Sequence, residues 1–202
     1  MADANGLRML RALLWAAVVA AALILLWALF LRPEPGAQPM ALQSLGKGDY
    51  ALVTADGQPF TQADLAGQPT AVFFGFTHCP DVCPTTLGEV TAWQEDLARD
   101  GQQLRTLFIT VDPERDTREV LGEYVSWVPG VTGITGDRAE IDKAIAAFRI
   151  YAAPVPLEGG GYTMNHSTQV LLFDARGAYF GLIGYREDHD RAMGTIRRLL
   201  AS

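Results

Sequence analysis

The sequence is poor in cysteine. Its 202 residues include only two, Cys79 and Cys83, and both lie in the six-residue stretch Cys79-Pro80-Asp81-Val82-Cys83-Pro84. No disulfide within the chain can therefore join distant parts of the fold, and every thiol reaction or metal–thiolate bond must occur here. A bridge between these two cysteines would close a loop of about five residues and add only about 2 kcal/mol, which disfavours a purely structural disulfide. The C-x-x-x-C spacing is one residue longer than a thioredoxin-like C-x-x-C motif.

Basic residues are also scarce. The chain has 16 Lys+Arg against 23 Asp+Glu, with a formal net charge of −7. Residues 1–31 contain Arg8, Arg11 and Asp3, so residues 32–202 carry 14 basic and 22 acidic side chains, a net charge of −8. An acidic domain without a basic cluster binds nucleic acid poorly, so we expect no nucleic-acid partner. This charge suits a cation or a basic protein surface, or serves only to keep the domain soluble.

One long apolar run lies near the N-terminus. Residues 12–31 form a run of 20 residues without a charge. At about 1.5 Å per residue, such a helix crosses a hydrocarbon core of about 30 Å. Trp15 and Trp27 lie near its two ends, as aromatic residues at membrane interfaces often do. Arg8 and Arg11 precede the run, so we expect the N-terminus in the cytoplasm and the rest of the chain outside.

A cleaved signal peptide is the alternative to an anchor. Its apolar core would be about 7–15 residues long and would end at a small-x-small cleavage site. This run is longer, Leu31-Arg32-Pro33-Glu34 is a poor cleavage site, and no cysteine follows directly to carry a lipid. We therefore predict a short cytoplasmic N-terminus (1–11), a transmembrane anchor (12–31), a linker rich in Pro, Gly, Ala and Gln (32–44) and one domain (45–202) large enough to bury a core.

The domain alternates predicted strands and helices. Strands are expected at 50–54, around 60, and at 70–76, 104–111, 131–135, 168–174 and 178–184. Helices are expected at 85–100, from about 117 to 127, and at 137–148 and 188–200. Residues 151–162, rich in Pro and Gly, are expected to form an irregular, mobile excursion. Strands that alternate with helices pair in parallel, and the closing hairpin adds antiparallel strands. The predicted fold is α/β and thioredoxin-like: a central mixed sheet flanked by helices, with an N-terminal β extension.

The predicted strand 70–76 delivers the cysteines to a strand-to-helix junction, where open α/β sheets usually hold their sites. Pro80 suits the first position of a helix capped by Cys79, but Pro84 cannot donate a hydrogen bond to the carbonyl of Pro80, so a tight or irregular turn is expected before the helix proper. Both sulfurs would then lie near a helix N-terminus, whose dipole and free N–H groups favour thiolate. Two functions remain open for such a pair. It can be a dithiol redox centre, or it can chelate Cu(I), as well as Cu(II) or zinc when nitrogen ligands are added.

Chelation needs a further ligand, and the chain has three histidines. His189 lies in a charged helix start and is expected to be solvated. His78 precedes Cys79 and is expected to face away from it. His166 precedes a strand, at the place where thioredoxin-like proteins hold a cis-proline against their active cysteines; here Ser167-Thr168 stands instead. We therefore predict His166 as the third ligand of a two-thiolate, one-imidazole site that suits copper.

Three segments together resemble the Sco/SenC family: Phe74-Gly75-Phe76-Thr77-His78-Cys79-Pro80-Asp81-Val82-Cys83-Pro84, Val111-Asp112-Pro113-Glu114-Arg115-Asp116-Thr117, and residues 162–167. The resemblance extends over the anchor and nearly the whole domain. It implies a membrane-anchored, thioredoxin-like copper protein that helps to assemble the CuA centre of cytochrome c oxidase. The family's ligands for Cu(I) or Cu(II) fall on Cys79, Cys83 and His166.

One position departs from the family pattern. Asn165 stands where the family usually has Asp before the histidine. Asn lacks the charge that would strengthen the imidazole as a donor, so copper affinity or redox poise is expected to differ. Asp81 and Asp112 are candidates for a compensating negative field, although a helix-start charge and a turn former are their simpler roles.

The resemblance implies a metallochaperone that delivers copper to the CuA-bearing subunit of cytochrome c oxidase, with other periplasmic copper chaperones as further partners. It would sit in the cytoplasmic (inner) membrane as a single-pass protein, with its domain in the periplasm. The expected excursion at 151–162 would bring His166 in when metal binds. The alternative is a thiol–disulfide oxidoreductase or redox sensor that uses Cys79 and Cys83 without obligatory metal, and the two roles can coexist. Whether the protein is an enzyme therefore stays open, and a peroxidase is disfavoured because the motif lacks the usual setting of a single peroxidatic cysteine.

Overall fold

The computed structural model describes residues 4–26 and 40–202, and these fall into two separate units divided between Pro39 and Met40. The first unit is one helix, α1 (Ala4–Leu26). Within it, the 19 residues Arg8–Leu26 are long and apolar enough to cross a membrane, with a mean hydropathy of 2.4. This helix fits a membrane anchor. The predicted end of the anchor, with Trp27, and most of the predicted linker lie outside the described residues.

The second unit begins at Met40, ahead of the predicted start at residue 45, because a short helix opens it. Its helices are α2 (Met40–Gln43), a 3₁₀ helix (Gln62–Leu65), α3 (Val82–Arg99), α4 (Arg118–Val125), α5 (Arg138–Ala147) and α6 (His189–Leu200). Its strands are β1 (Leu52–Thr54), β2 (Pro59–Phe60), β3 (Thr70–Gly75), β4 (Arg105–Thr110), β5 (Val131–Thr135), β6 (Ala152–Pro156), β7 (Tyr162–His166), β8 (Val170–Phe173) and β9 (Tyr179–Ile183).

Seven strands form one mixed sheet in the order β2-β1-β5-β4-β3-β8-β9. The β3–β4 and β4–β5 pairs are parallel, whereas β1–β2, β1–β5, β3–β8 and β8–β9 are antiparallel. This confirms the predicted central mixed sheet with an N-terminal β extension and a closing hairpin. Strand β3 lies inside the sheet between β4 and β8, and all six of its residues are buried, as expected for an apolar run covered on both faces.

Phenylalanine side chains fill much of the space around the central strands. Phe73 on β3 meets Phe108 on β4 edge-on, with ring centroids 5.2 Å apart. Phe148, which follows α5, lies 5.2 Å from Phe74 and 5.7 Å from Phe173 on β8. Such offset and edge-to-face contacts add stability beyond the area that they bury. The end of β3, where the cysteine segment begins, is therefore rigidly packed.

The helix after β3 begins three residues before its predicted start at residue 85, and a tight turn precedes it as expected. The helix begins at Val82 with Asp81 as its N-cap, so neither Cys79 nor Pro80 is part of it. The reason is Pro84, which has no N–H to donate to the carbonyl four residues earlier. A helix that starts at Val82 places Pro84 in the first turn, where N–H groups have no intrahelical partner and proline is tolerated.

The predicted irregular excursion at residues 151–162 was wrong. Strands β6 and β7 pair as an antiparallel hairpin with Ala152 opposite His166, and they form a separate two-stranded sheet. Strand β6 tolerates Pro154 and Pro156 because it is an edge strand, paired with β7 alone. The hairpin turns at Gly159-Gly160-Gly161, all three with positive φ, which glycine adopts without strain.

A methyl group at Gly75 would test how closely β3 packs against the cysteine helix. A Cβ at this position would lie 2.8 Å from the Cys83 sulfur and 2.9 Å from the Phe108 ring. We expect Gly75→Ala to lower the free energy of unfolding by about 1–3 kcal/mol through overpacking. The measurement is chemical denaturation of the full chain in detergent, followed by circular dichroism. Gly181→Ala on β9 is the control, because its added Cβ meets nothing within 4 Å. Equal unfolding midpoints for both variants would contradict the close packing.

Candidate metal centre

Three elements bring their side chains to the carboxyl end of β3. Cys79 lies in the tight turn after β3, where its N–H donates to the carbonyl oxygen of Phe76 at 3.2 Å. Cys83 is the second residue of α3, and His166 is the last residue of β7. Strand β8 runs antiparallel to β3 with Val170 opposite Phe73, so the chain that enters β8 must pass the end of β3. His166, just upstream of β8, is therefore carried to the cysteines.

The three predicted ligands form one compact cluster. The two sulfurs and one ring nitrogen of His166 all lie within 4.8 Å of one another. The Cys83 sulfur is 3.7 Å from Nε2 of His166, and the backbone N–H of Cys83 donates to the Cys79 sulfur at 3.4 Å. Cys83 and His166 are buried, whereas Cys79 is partly exposed, and both thiols are free. The cluster thus has one side open to solvent, at Cys79.

The protonation of His166 follows from its neighbours. Its Nδ1 lies 2.7 Å from the carbonyl oxygen of Ser167. A carbonyl oxygen can only accept, so Nδ1 carries a proton, and in the neutral ring the lone pair is then on Nε2, which faces the Cys83 sulfur. The Phe76 ring stands edge-on to the imidazole, with ring centroids 5.7 Å apart and planes at 89°. The imidazole is therefore held with a donor atom facing the sulfurs.

Asn165 has little part in orienting this imidazole. Adjacent residues of a strand point to opposite faces, and Asn165 is exposed where His166 is buried. The ring is fixed by the hydrogen bond that its Nδ1–H donates to the backbone carbonyl oxygen of Ser167. A main-chain carbonyl therefore orients the imidazole, and this orientation does not depend on the side chain at position 165.

The two thiols have opposite acidities. A hydrogen bond from the Cys83 thiol, together with backbone hydrogen bonds, lowers the pKa of Cys79 to about 3, although partial burial opposes this. The pKa of Cys83 is raised, first by sharing its proton with the Cys79 sulfur and then by burial. The pair therefore holds one thiolate, on the more exposed sulfur, and keeps its proton on the buried one.

A small cleft of about 210 Å³ leads to the cluster. Cys79, Pro80 and Met164 are among the residues that line it. Met164 also borders a larger groove of about 760 Å³ that lies between the hairpin and Ile145 of α5. The cleft at the sulfurs is large enough for an ion and an approaching side chain, and the larger groove contains none of the three cluster residues.

The other two histidines lie outside the cluster. The side chain of His78 is 53% exposed, and its Nδ1 is 4.0 Å from Oδ1 of Asp116. His189 begins α6, and its Nε2 lies 2.8 Å from Oδ2 of Asp96. Both side chains therefore have carboxylate neighbours instead of sulfur, in line with the sequence expectations.

Asp81 and Asp112, the two candidates for a compensating negative charge near the cluster, both lie next to arginine side chains. Asp81 is exposed, and its Oδ1 is 3.9 Å from the Arg186 guanidinium. Asp112 is fully buried, and its carboxylate is paired with the Arg115 guanidinium. The Tyr162 hydroxyl also donates to Asp112, at 2.7 Å. Their charges are therefore offset locally before they reach the cluster.

Four neighbours of the site were not predicted from the sequence: Asp116, Thr77, Arg115 and Tyr162. Asp116 is fully buried and accepts from both the backbone N–H and the hydroxyl of Thr77, at 3.1 Å and 2.6 Å. The sequence feature that could have indicated them is a run of charged residues directly after a buried strand. Charges there are seldom buried unless they are paired, so they indicate partners elsewhere in the fold.

Comparison with known proteins gives the family. The family model described as SCO1/SenC matches residues 38–201. The chain belongs to the SCO1/SenC family.

Individual relatives agree with this assignment. The mouse mitochondrial protein SCO1 homolog is 36% identical over 162 residues, which cover 76% of this chain and 57% of the relative. Bradyrhizobium japonicum ScoI with copper bound is 38% identical, with a TM-score of 0.68 over 76% of this chain and 99% of that one. Yeast Sco1 with copper bound is 34% identical, with a TM-score of 0.72 over 79% and 90%. The thioredoxin-like fold is confirmed, and this SCO1/SenC chain spans a little over half the length of the mouse relative.

The unequal acidity of the thiols predicts selective alkylation in this SCO1/SenC protein. Thiolate is the reactive form, so a pKa near 3 keeps Cys79 reactive throughout the range from about pH 5 to about pH 8. We expect iodoacetamide to modify Cys79 at a nearly constant rate over this range and to spare buried Cys83. Peptide mass mapping of the reduced, metal-free full chain measures both rates.

The matched variant is Cys83→Ala, which removes the largest cause of the lowered pKa. Its Cys79 rate should fall as the pH is lowered, because less thiolate remains. A wild-type rate that rises through about pH 8.5, as for an ordinary cysteine, would contradict the assigned thiolate.

Proposed function

We propose that this SCO1/SenC protein is a membrane-anchored copper metallochaperone that holds copper on Cys79, Cys83 and His166. The observation that carries the proposal is the meeting of two sulfurs and one lone-pair nitrogen within 4.8 Å. Two thiolates favour Cu(I), and an imidazole nitrogen extends the site to Cu(II). The ScoI protein of Bradyrhizobium japonicum and yeast Sco1, both similar to this chain, are described with copper bound.

The charge of the cluster suits this cargo. Two thiolates give the site a charge of −1 with Cu(I) and leave it neutral with Cu(II). The buried Cys83 sulfur keeps its proton in the metal-free site because an isolated thiolate there is costly. A bound cation would remove this cost, so copper binding would release the Cys83 proton.

The Sco family is one of cytochrome c oxidase assembly proteins. We propose the CuA-bearing subunit of the oxidase as the acceptor and other periplasmic copper chaperones as further partners. Transfer would proceed by ligand exchange through Cys79, because its sulfur is the one that solvent reaches. The acidic domain would favour a partner with a basic surface around its own metal site.

The proposed placement of the chain follows from α1 and the charges around it. Residues 1–11 would be cytoplasmic, 12–31 would span the inner membrane once, 32–44 would be a linker, and 45–202 would form the copper-binding domain in the periplasm. The helix Arg8–Leu26 supports the span, and Arg8 and Arg11 support an N-terminus on the inner side.

Thiol–disulfide exchange is a second candidate function, favoured by the asymmetry of the two thiols. The exposed Cys79 thiolate would attack an acceptor disulfide and form a mixed disulfide, releasing one acceptor thiolate. Cys83, after losing its proton to that leaving thiolate, would then attack Cys79. The products are a Cys79–Cys83 disulfide and a reduced acceptor dithiol, so two electrons pass to the acceptor. This reaction would prepare acceptor cysteines for metal.

Anaerobic copper titration of the full chain in detergent tests the first function. We expect one copper per chain, and we expect His166→Ala to weaken Cu(II) binding at least tenfold and to change its electron paramagnetic resonance spectrum. Cu(I) binding should change less, because both thiolates remain. His189→Ala is the matched control, since His189 lies beside Asp96 and outside the cluster. An unchanged spectrum and affinity in His166→Ala would remove His166 from the site.

Disulfide reduction by the metal-free, reduced full chain tests the second function. The substrate is a disulfide-bonded peptide that carries two cysteines of the acceptor type. We expect His166→Ala to reduce it at close to the wild-type rate, whereas Cys83→Ser should stop at the mixed disulfide with Cys79. Mass spectrometry of the trapped species distinguishes these outcomes. Absence of any mixed disulfide with Cys83→Ser would exclude the oxidoreductase role.

A further inference from the structure

The loop after β4 contacts both halves of the ligand cluster. We call residues 112–117 the Asp112 loop. The loop lies in one of the three segments that resemble the Sco/SenC family, yet none of its residues is a proposed ligand. Two of its carboxylates, Asp112 and Asp116, are fully buried. A buried charge is costly without partners, so the partners of these two groups indicate what the loop does.

Asp116 holds the segment that leads to Cys79. Its carboxylate accepts from the Thr77 backbone N–H at 3.1 Å and from the Thr77 hydroxyl at 2.6 Å. The Thr110 hydroxyl also donates to it, at 2.6 Å. Three hydrogen bonds to one ionised group are strong and directional. They fix the main chain two residues before Cys79, and hence the position of the first sulfur.

Asp112 and Arg115 hold the strand that carries His166. The Tyr162 hydroxyl donates to Asp112 at 2.7 Å, and Arg115 donates to the Tyr162 carbonyl oxygen at 3.1 Å. The Arg115 guanidinium also pairs with Asp112 and lies 4.0 Å from the centre of the Tyr162 ring. It is 5.8 Å from the Phe76 ring, which in turn contacts His166. Tyr162 is thus clamped at the first residue of β7.

The hairpin needs such a clamp because it belongs to a different sheet from the cysteines. Within the described residues, β6 and β7 pair with each other and not with the seven-stranded sheet. Hydrogen bonds inside the hairpin keep β7 straight but do not set its distance from Cys79 and Cys83. That distance depends on the two chain connections at the base of the hairpin, from α5 into β6 and from β7 into β8, and on the contacts of Tyr162 at the other end of β7.

We propose that the Asp112 loop is the frame of the copper centre: it sets the spacing between the sulfurs and the His166 nitrogen by holding Thr77 and Tyr162 at once. Tyr162 and Arg115 are therefore positioning residues that act through His166. The inference rests on the proposed function, because it assumes that copper binds Cys79, Cys83 and His166. Its consequence is selective: loosening Tyr162 should affect Cu(II), which needs the imidazole, more than Cu(I), which two thiolates hold.

Tyr162→Phe in the full chain in detergent is the test, with copper as the probe. The variant keeps the ring stacked on Arg115 and removes the bond to Asp112. We expect Cu(II) affinity to fall about tenfold, as for other outer partners of metal ligands, and the electron paramagnetic resonance spectrum to change. Cu(I) affinity should change less than threefold, and the unfolding midpoint of the metal-free protein should stay close to that of the wild type. Tyr151→Phe, at a tyrosine that is 59% exposed, is the matched control.

Adding Tyr162→Phe to a His166→Ala protein separates an effect on the position of His166 from a general loosening of the fold. In His166→Ala, the added Tyr162→Phe change should have no further effect on Cu(II) affinity, because the residue through which Tyr162 acts is absent. Arg115→Lys, which loses the forked contact with Asp112 and Tyr162, should reproduce the selective loss of Cu(II) binding.

The outcomes distinguish the two proposals. If Tyr162→Phe and Arg115→Lys both bind Cu(II) like the wild type while His166→Ala does not, the frame is overturned and the copper site stands. If Tyr162→Phe weakens Cu(II) equally in the His166→Ala background, the effect is not exerted through His166 and the frame is again overturned. If His166→Ala itself binds Cu(II) like the wild type, the proposed site fails, and the frame, which acts through His166, is overturned with it.

Discussion

The antiparallel pairing of β8 with β3 is the constraint on which the site depends. Cys83 and His166 are 83 residues apart in the sequence, and their sulfur and nitrogen atoms nevertheless lie 3.7 Å apart. The pairing places the entry to β8 beside the exit from β3, and burial of all six β3 residues makes that register costly to change. The turn that carries Cys79 and the strand that carries His166 therefore both lie next to the end of β3, whose position is fixed by the core.

The two cysteines differ in acidity because their surroundings differ. The pKa of Cys83 is raised because its thiol shares its proton with the Cys79 sulfur and because it is buried beneath Gly75 and the β3–β4 core. Cys79 is partly exposed and receives hydrogen bonds, so its pKa is lowered. A soft cation resolves this imbalance because it replaces the shared proton and stabilises both thiolates together. Disulfide formation also resolves it, which is why metal binding and redox chemistry are both available to the same pair.

Local patterns in the sequence predicted much of this arrangement. Apolar runs gave the central strands, the alternation of strands and helices gave the mixed sheet, and the sparse cysteines and histidines left few candidates for ligands. The hairpin β6–β7 escaped prediction because prolines and glycines are typical of loops and are tolerated in strands chiefly at an edge. The bonds from Tyr162 to Asp112 and from Thr77 to Asp116 escaped it because they join residues 50 and 39 positions apart, for which a single sequence holds no periodic signal.

The proposed ligands lie on parts of the domain that are held differently, and this difference affects how a bound metal would leave. Cys83 belongs to a helix packed on the core, whereas His166 belongs to a separate two-stranded hairpin, joined to the rest of the domain through side chains and two chain connections at its base. An approaching ligand meets the partly exposed Cys79 sulfur first, so exchange under the proposed function begins there. Release of His166 would need the hairpin to shift, and release of Cys83 would need either a proton or a disulfide to satisfy the buried sulfur. When an acceptor disulfide takes two electrons from the pair, the resulting Cys79–Cys83 disulfide satisfies the buried sulfur without exposing the core, so loss of the metal and oxidation of the pair are chemically linked outcomes of this geometry.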